Sequence, residues 1–79
     1  MSNYVVFITG SAVGIGRGAA ESHGREGATI VGLDIDAQEN AQTARLVESA
    51  GGTFHGYECD IGDRQQVRSV FDDLEGKID

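Results

Sequence analysis

A glycine-rich turn between a strand-like and a helix-like segment limits what this chain can fold into more than any other feature. Residues 4–9 (YVVFIT) are apolar, β-branched or aromatic, as in a parallel strand buried on both faces, and the run stops at Gly10. Gly14 and Gly16 follow at the start of residues 15–26, which are predicted to be a helix. A diphosphate could bind the free N–H groups of such a helix start, where a Cβ would block its approach. The turn therefore predicts a phosphate-binding site.

The rest of the chain repeats the alternation of strand and helix. Strands are predicted at residues 28–34 (ATIVGLD) and at the more polar residues 53–59 (TFHGYEC), which suit a sheet edge. Apolar residues at helical spacing predict helices at about 37–50 and after a cap at Asp63: Ala41, Ala44 and Val47, then Val67, Val70, Phe71 and Leu74. Short loops and this βαβαβα order predict an α/β, Rossmann-type domain over residues 1–79. Its parallel sheet should be partial and doubly wound.

An acidic residue gives the glycine turn its second, independent support. Asp34 ends the second predicted strand, eighteen residues after Gly16. In dinucleotide-binding domains an acid at roughly this distance accepts the hydroxyls of a ribose. A tight turn with a helix-capping aspartate would explain the same residues without any ligand. The agreement of turn, strand and acid favours dinucleotide binding.

The run Thr9-Gly10-Ser11-Ala12-Val13-Gly14-Ile15-Gly16 resembles the TGxxxGIG fingerprint of the short-chain dehydrogenase/reductase family. Leu33-Asp34 and Cys59-Asp60-Ile61, at the ends of the next two strands, are similar to that family as well. The resemblance implies that Ile15 brings its backbone to the pyrophosphate, Asp34 holds the adenosine ribose, and Asp60 with Ile61 contacts the adenine. Thr9 would mainly brace the sheet. The implied cofactor-binding residues are Gly10, Ser11, Val13, Gly14, Ile15, Gly16, Asp34, Ile35, Asp60 and Ile61.

The same residues favour NAD over NADP. A carboxylate at Asp34 accepts two ribose hydroxyls but repels the additional phosphate of NADP. Relatives that prefer NADP often carry a basic residue where this chain has Val13 or Ile35. Arg17 could reach a phosphate, but we interpret it as a solvated side chain in the first turn of the helix.

The chemistry of the family rests on residues that are absent from this sequence. Relatives carry an asparagine-rich motif, a serine and a Tyr-x-x-x-Lys pair, in which the lysine lowers the pKa of the tyrosine. Here Tyr4 is followed four residues later by Ile8 and Tyr57 by Ile61. The closing residues GKID resemble the loop before the fourth strand of relatives. We therefore expect a partial protein that binds a dinucleotide without catalytic residues of its own.

Charge and cysteine content argue against several other functions. The net charge of -7 disfavours nucleic acid and anionic membranes, and residues 1–10 contain no basic leader or membrane-length apolar run. Cys59, the single cysteine, is expected to be a small buried residue in a reducing, cytoplasmic setting. His55 and Cys59 would lie roughly 13 Å apart on a strand, too far to share one zinc ion. His23 is expected to be a partly buried packing residue.

Two alternative functions remain open, and the chain is also expected to self-associate. A stand-alone module that binds NAD without turnover would also lack the catalytic set, and a methyltransferase fragment that binds S-adenosylmethionine also uses a glycine turn and an acid. The TGxxxGIG spacing and Asp60-Ile61 argue against the methyltransferase. In the strand order 3-2-1 that the resemblance implies, one edge of the first strand should lack a partner, which predicts self-association through residues 4–9.

Overall fold

A computed structural model describes residues 4–77 of the chain. Its elements alternate strictly in the order β1 (Val5–Thr9), α1 (Gly14–Arg25), β2 (Thr29–Asp34), α2 (Ala37–Ser49), β3 (Thr53–Glu58) and α3 (Arg64–Leu74). Element boundaries agree with the sequence prediction to within about one residue. The predicted domain also includes residues 1–3 and 78–79, and the last two letters of the GKID segment thus lie outside the described residues.

The three strands form one parallel sheet with β2 in the centre. Val31 of β2 lies opposite Phe7 of β1 on one side and opposite His55 of β3 on the other. The order β1-β2-β3 is the predicted order 3-2-1 counted from the opposite edge. The predicted α/β, Rossmann-type fold class and the edge position of β3 are both confirmed.

Helices cover both faces of the sheet because neighbouring residues of β2 point to opposite sides. Ile30 faces α1 and α2, in a core cluster completed by Ala20, Ala28, Val47 and Phe54. Val31 faces α3, in a second cluster with Leu33, Cys59, Val70 and Leu74. Burial of both faces explains why β2 reads as a continuous apolar run.

Strand β1 is less buried than its sequence predicts. Phe7 is 48% exposed and stacks on Phe71 of α3, itself 53% exposed, with ring centroids 5.5 Å apart. The prediction of a strand buried on both faces is therefore wrong for the described residues. The physical reason is the position of β1 at an edge of this sheet, where β2 is its one described partner.

The predicted apolar spacing of α2 identifies part of its buried face. Val47 is in the core and Ala44 packs against it, as predicted, but Ala41 is exposed, and the other buried residues are Asn40 and Thr43. Hydrophobic periodicity missed these two residues because they are polar. Both polar side chains are satisfied by hydrogen bonds to the turn after β1, which are described below.

Local hydrogen bonds fix α3 against β3. Asp63 caps the helix by accepting from the backbone N–H groups of Gln65 and Gln66, as the sequence predicts, while the side chain of Gln66 accepts from the N–H of Asp60 at 2.8 Å. Tyr57 donates to Asp73 at 2.6 Å. Burial of the phenol and the neighbouring Asp73 carboxylate raise the pKa of Tyr57 to about 12, so this link persists well into the alkaline range. No helix within residues 4–77 has the length and apolarity to cross a membrane.

Candidate functional site

The carboxyl ends of the three strands meet around one hollow of about 250 Å³. Its walls come from the last two residues of β2 and from residues that follow the three strands: Gly10, Leu33, Asp34, Ile35, Cys59, Asp60 and Ile61. Open parallel sheets bind their ligands at this end of the strands. Five residues predicted from the sequence, from three separate segments, are thus neighbours in space.

The turn between β1 and α1 is shaped by its three glycines in two different ways. Gly10 and Gly14 have positive φ values of 73° and 61°, a conformation that side chains with a Cβ rarely adopt. Gly16 instead provides room, because a Cβ there would lie 1.9 Å from the carbonyl oxygen of Gly10. The turn is also tied to the sheet by the N–H of Gly10, which donates to the carbonyl of Leu33 at 2.8 Å. Its glycines therefore set the path of the chain as well as access for a ligand.

The start of α1 differs from the starts of the other two helices. The Asp36 side chain caps α2 and the Asp63 side chain caps α3, but Val13 lies at the cap position of α1 without any side-chain hydrogen bond. The amino end of a helix carries about half a positive charge together with unsatisfied N–H groups. Among the described helices, α1 is thus the one whose amino end is left open to an anion.

Asp34 links the end of β2 to this turn. One carboxylate oxygen accepts from the N–H of Ala12 at 3.0 Å, and the other accepts from the N–H of Asp36 at 2.9 Å. Each oxygen of an ionised carboxylate has a further lone pair, so the group can still accept hydroxyls from a ligand. Asp34 is partly buried and lies at the wall of the hollow.

Four apolar side chains at the start of α1 and after β2 and β3 are strongly exposed. The exposed fractions are 55% for Val13, 93% for Ile15, 69% for Ile35 and 58% for Ile61. Ile35 and Ile61 line the hollow, whereas Val13 and Ile15 lie at the start of α1. Apolar side chains beside a few polar groups are typical of the lining of ligand sites.

Side chains of α2 hydrogen-bond to the middle of the turn, a contact that the sequence did not predict. Ser11 and Ala12 are buried, and the hydroxyl of Ser11 donates to the Asn40 side chain at 2.6 Å. The Asn40 amide donates in turn to the carbonyl of Gly32 at 3.1 Å. The hydroxyl of Thr43 lies 2.8 Å from the carbonyl oxygen of Ser11 and 3.2 Å from that of Ala12. Ser11 therefore faces the interior with its side chain, and the whole residue is buried.

Arg17 is anchored to α2, and the interpretation of a solvated side chain is wrong. Its Nε donates to the hydroxyl of Thr43 at 2.9 Å, and its Nη2 donates to the carbonyl oxygen and the carboxylate of Glu39 at 2.7 and 3.1 Å. Its side chain is 27% exposed. The cause is the packing of α2 alongside the first turns of α1, a contact between helices that local sequence patterns do not reveal.

Cys59 and His23 lie in environments that suit packing and not chemistry. Cys59 is buried and unpaired, and burial together with the charges of Asp60 and Asp63 raises the pKa of its thiol, which favours the unreactive form. His23 is partly buried and packs edge-on against Tyr4, with the phenol oxygen 2.9 Å from its Nδ1, as the sequence predicts. Residues 4–77 contain no group of three or more potential ligands close enough to hold a metal ion.

Comparison with known proteins identifies the family. Residues 4–79 match the sequence pattern described as short chain dehydrogenase. A 3beta-hydroxysteroid dehydrogenase of Mediterraneibacter gnavus is 31% identical over 78 residues, which are 95% of this chain and 28% of that protein.

Two solved structures have the same fold. The chain superposes on a short chain dehydrogenase from Mycobacterium paratuberculosis bound to NAD with a TM-score of 0.84 and 32% identity, over 92% of this chain and 32% of the other. For a metagenomic short-chain oxidoreductase in complex with NADP the TM-score is 0.84 and the identity 26%, over 92% and 34%. The chain thus spans about a third or less of these proteins. It belongs to the short-chain dehydrogenase family.

Proposed function

We propose that this chain binds the ADP-ribose part of NAD in the hollow at the carboxyl ends of its strands. The observation that carries the proposal is the uncapped amino end of α1, which follows a turn whose Ala12 N–H binds the Asp34 carboxylate at the wall of the hollow. A diphosphate supplies the anion that the helix start lacks, and a ribose supplies hydroxyls for the carboxylate. The family relationship supports the same ligand, since relatives are solved with NAD or NADP.

Each part of the ligand has residues that suit it. The backbone from Gly10 to Gly16, with Ser11, Val13, Gly14 and Ile15 between them, would bind the pyrophosphate. Asp34 and Ile35 would bind the adenosine ribose, and Asp60 with Ile61 would border the adenine. The exposed side chains of Val13, Ile15, Ile35 and Ile61 would lose contact with water when the nucleotide binds, which favours binding through the hydrophobic effect.

NAD is proposed as the preferred cofactor because the loop after β2 is acidic. Asp34 is followed by Asp36 and Glu39, and the guanidinium of Arg17 is already engaged by Glu39. The additional phosphate of NADP would face carboxylates with no free arginine beside them. Repulsion between these carboxylates and the additional phosphate disfavours NADP.

The whole protein that contains this domain is proposed to transfer hydride between NAD and an alcohol or carbonyl compound. The 79-residue chain itself lacks the Tyr-x-x-x-Lys pair of the family, so by itself it would bind cofactor without turnover. A module that binds NAD in the cell without any turnover is the second candidate. The family match sets aside the methyltransferase alternative. A cytoplasmic location is proposed from the single, unpaired cysteine.

Calorimetric titration of the chain with NAD, NADP and nicotinamide mononucleotide tests this function. We expect NAD to bind, NADP to bind more weakly, and nicotinamide mononucleotide to give no signal, because the proposed contacts lie on the ADP-ribose part. Equal binding of NAD and NADP would contradict the role of Asp34. Release of NADH on addition of alcohols would contradict the proposed lack of turnover.

The outer edge of β1 is proposed to pair with a second copy of the chain. Among the described strands, β1 has a partner on one side alone, and Phe7 and Phe71 expose apolar rings next to that edge. Unpaired strand edges with apolar side chains associate readily. The net charge of -7 opposes contact between copies, but salt screens it over roughly 8–10 Å.

Sedimentation from low to moderate salt should therefore show the monomer giving way to larger species. Phe7→Lys places a charge beside the edge and should shift the distribution back to the monomer, with the exposed Arg68→Lys as a control that leaves it unchanged. A monomer that persists at moderate salt would contradict this proposal.

A further inference from the structure

The two central residues of the glycine turn point their carbonyl oxygens away from the hollow. The hydroxyl of Thr43 lies within hydrogen-bond distance of both, at 2.8 Å from Ser11 and 3.2 Å from Ala12. We propose that Thr43, oriented by Arg17, is a positioning residue that keeps these carbonyls turned inward, the N–H of Ala12 on Asp34 and the N–H of Val13 available to a diphosphate. The proposal rests on the dinucleotide function proposed above.

The partners of the Thr43 hydroxyl allow one orientation of its hydrogen. The Nε of Arg17 lies 2.9 Å from the hydroxyl oxygen, and a guanidinium donates but never accepts. The oxygen of Thr43 must therefore accept from Arg17, which directs its single hydrogen toward the turn. There the carbonyl of Ser11 is the nearer acceptor, and that of Ala12 can share the same hydrogen.

Arg17 is itself held in place, so the orientation is built into the fold. Its Nη2 donates to the backbone carbonyl and to the carboxylate of Glu39, and the N–H of Glu39 is in turn bound by the capping side chain of Asp36. These hydrogen bonds fix the first turn of α2 relative to the Arg17 side chain of α1. Donation from Nε to Thr43 and from Nη2 to Glu39 at the same time needs the fixed, planar fork of a guanidinium.

Loss of the hydroxyl would leave buried acceptors without a donor. Ser11 is 0% and Ala12 1% exposed, and a buried carbonyl without a partner is unfavourable enough to drive a rearrangement. The carbonyls could regain partners by turning toward water, which means toward the hollow. An oxygen in that position would repel a phosphate and displace the N–H groups that should bind it.

Amide hydrogen exchange on the ligand-free chain tests the first half of the proposal. Thr43→Val removes the hydroxyl at nearly constant shape, and Thr43→Ser keeps it. The N–H of Ala12, which donates to Asp34, should exchange roughly tenfold faster in Thr43→Val and at the original rate in Thr43→Ser. Amides of the central strand, such as that of Val31, should change in neither variant beyond the change in global stability. Unchanged exchange at Ala12 overturns the proposal.

Titration with ADP-ribose and with adenosine tests the second half. Thr43→Val should bind ADP-ribose roughly tenfold more weakly, while adenosine, which has no phosphate, should keep its affinity within about twofold. Thr43→Ser should restore the affinity for ADP-ribose. Equal weakening of both ligands would indicate general loss of structure and would overturn a positioning role.

The outcomes also separate this inference from the proposed function. If the unchanged chain binds no ADP-ribose, the dinucleotide function fails and the inference fails with it. If all chains bind ADP-ribose equally, the inference alone fails. Should Thr43→Val not fold, Arg17→Met removes the orienting donor and keeps the hydroxyl, and it must then show faster exchange at Ala12 and several-fold weaker binding of ADP-ribose.

Discussion

Replacing Gly16 by alanine should unfold the glycine turn and with it much of the domain. The new β-carbon would lie 1.9 Å from the carbonyl oxygen of Gly10 and 2.7 Å from its carbonyl carbon, both rigid backbone atoms. Relief requires that α1 move away from β1. Overpacking of this kind costs about 3 kcal/mol or more, which is comparable to the whole stability expected of a domain this small.

Gly18 provides a matched control two residues further along α1. It is exposed, and a β-carbon there meets no atom within 4 Å. Gly18→Ala should therefore stabilise the chain by about 0.5–1 kcal/mol, because alanine favours the helix. Urea unfolding followed by circular dichroism compares the two variants. Equal stability of Gly16→Ala and Gly18→Ala would mean that α1 does not approach Gly10 as described.

Asp34→Ala should weaken NAD binding by on the order of 1.5–3 kcal/mol, or about ten- to a hundredfold. The carboxylate is proposed to accept ribose hydroxyls, and it also holds the N–H groups of Ala12 and Asp36. Its removal takes away an attraction for NAD and a repulsion toward NADP. The preference for NAD over NADP should therefore shrink as well, which parallel titrations would measure.

Asp36→Asn separates the specific role of Asp34 from the general effect of charge. It removes one negative charge two residues away, and asparagine still caps a helix well, so α2 should remain intact. This control should keep its affinity for NAD within about twofold, since Asp36 makes no proposed contact with the ribose. An equal loss in both variants would show that charge alone, and not the Asp34 contact, determines binding.

Local patterns in the sequence, together with the family resemblance, were sufficient to predict the elements and the part of the site that lies on strand ends. The run of residues 28–34 could be assigned to a strand from its apolar composition, and its central place followed from the strand order that the family resemblance implies. Gly10 and Asp34 could be brought together because parallel strands end at the same edge of a sheet. Asp60 was added by the family resemblance.

The contacts between α2 and the turn could not be predicted in the same way. Asn40 and Thr43 are polar residues in a helix, and such residues usually face water, so the apolar spacing of the helix did not identify them as buried. Their burial depends on the turn after β1 offering hydroxyl and carbonyl groups at the right places. The same dependence on distant residues explains why Arg17 is bound by Glu39 and is not solvated.

The exposure of β1 illustrates a further limit of prediction from the sequence. A continuous apolar strand predicts burial on both faces, yet Phe7 is half exposed within the described residues because β1 has one neighbouring strand. Composition reveals which surfaces are suited to burial. It does not reveal which part of a protein, or which second chain, covers them.

The most direct test of the central claim is a map of backbone amide shifts in nuclear magnetic resonance spectra recorded as NAD is added to the chain. The proposed site predicts the largest shifts from Gly10 to Gly16, with further shifts at Asp34, Ile35, Asp60 and Ile61, and small changes at the far end of the sheet near Thr29 and Thr53. Saturating shifts confined to these segments would support a dinucleotide site at the carboxyl ends of the strands. Shifts that are absent, or that cluster away from the glycine turn, would contradict it.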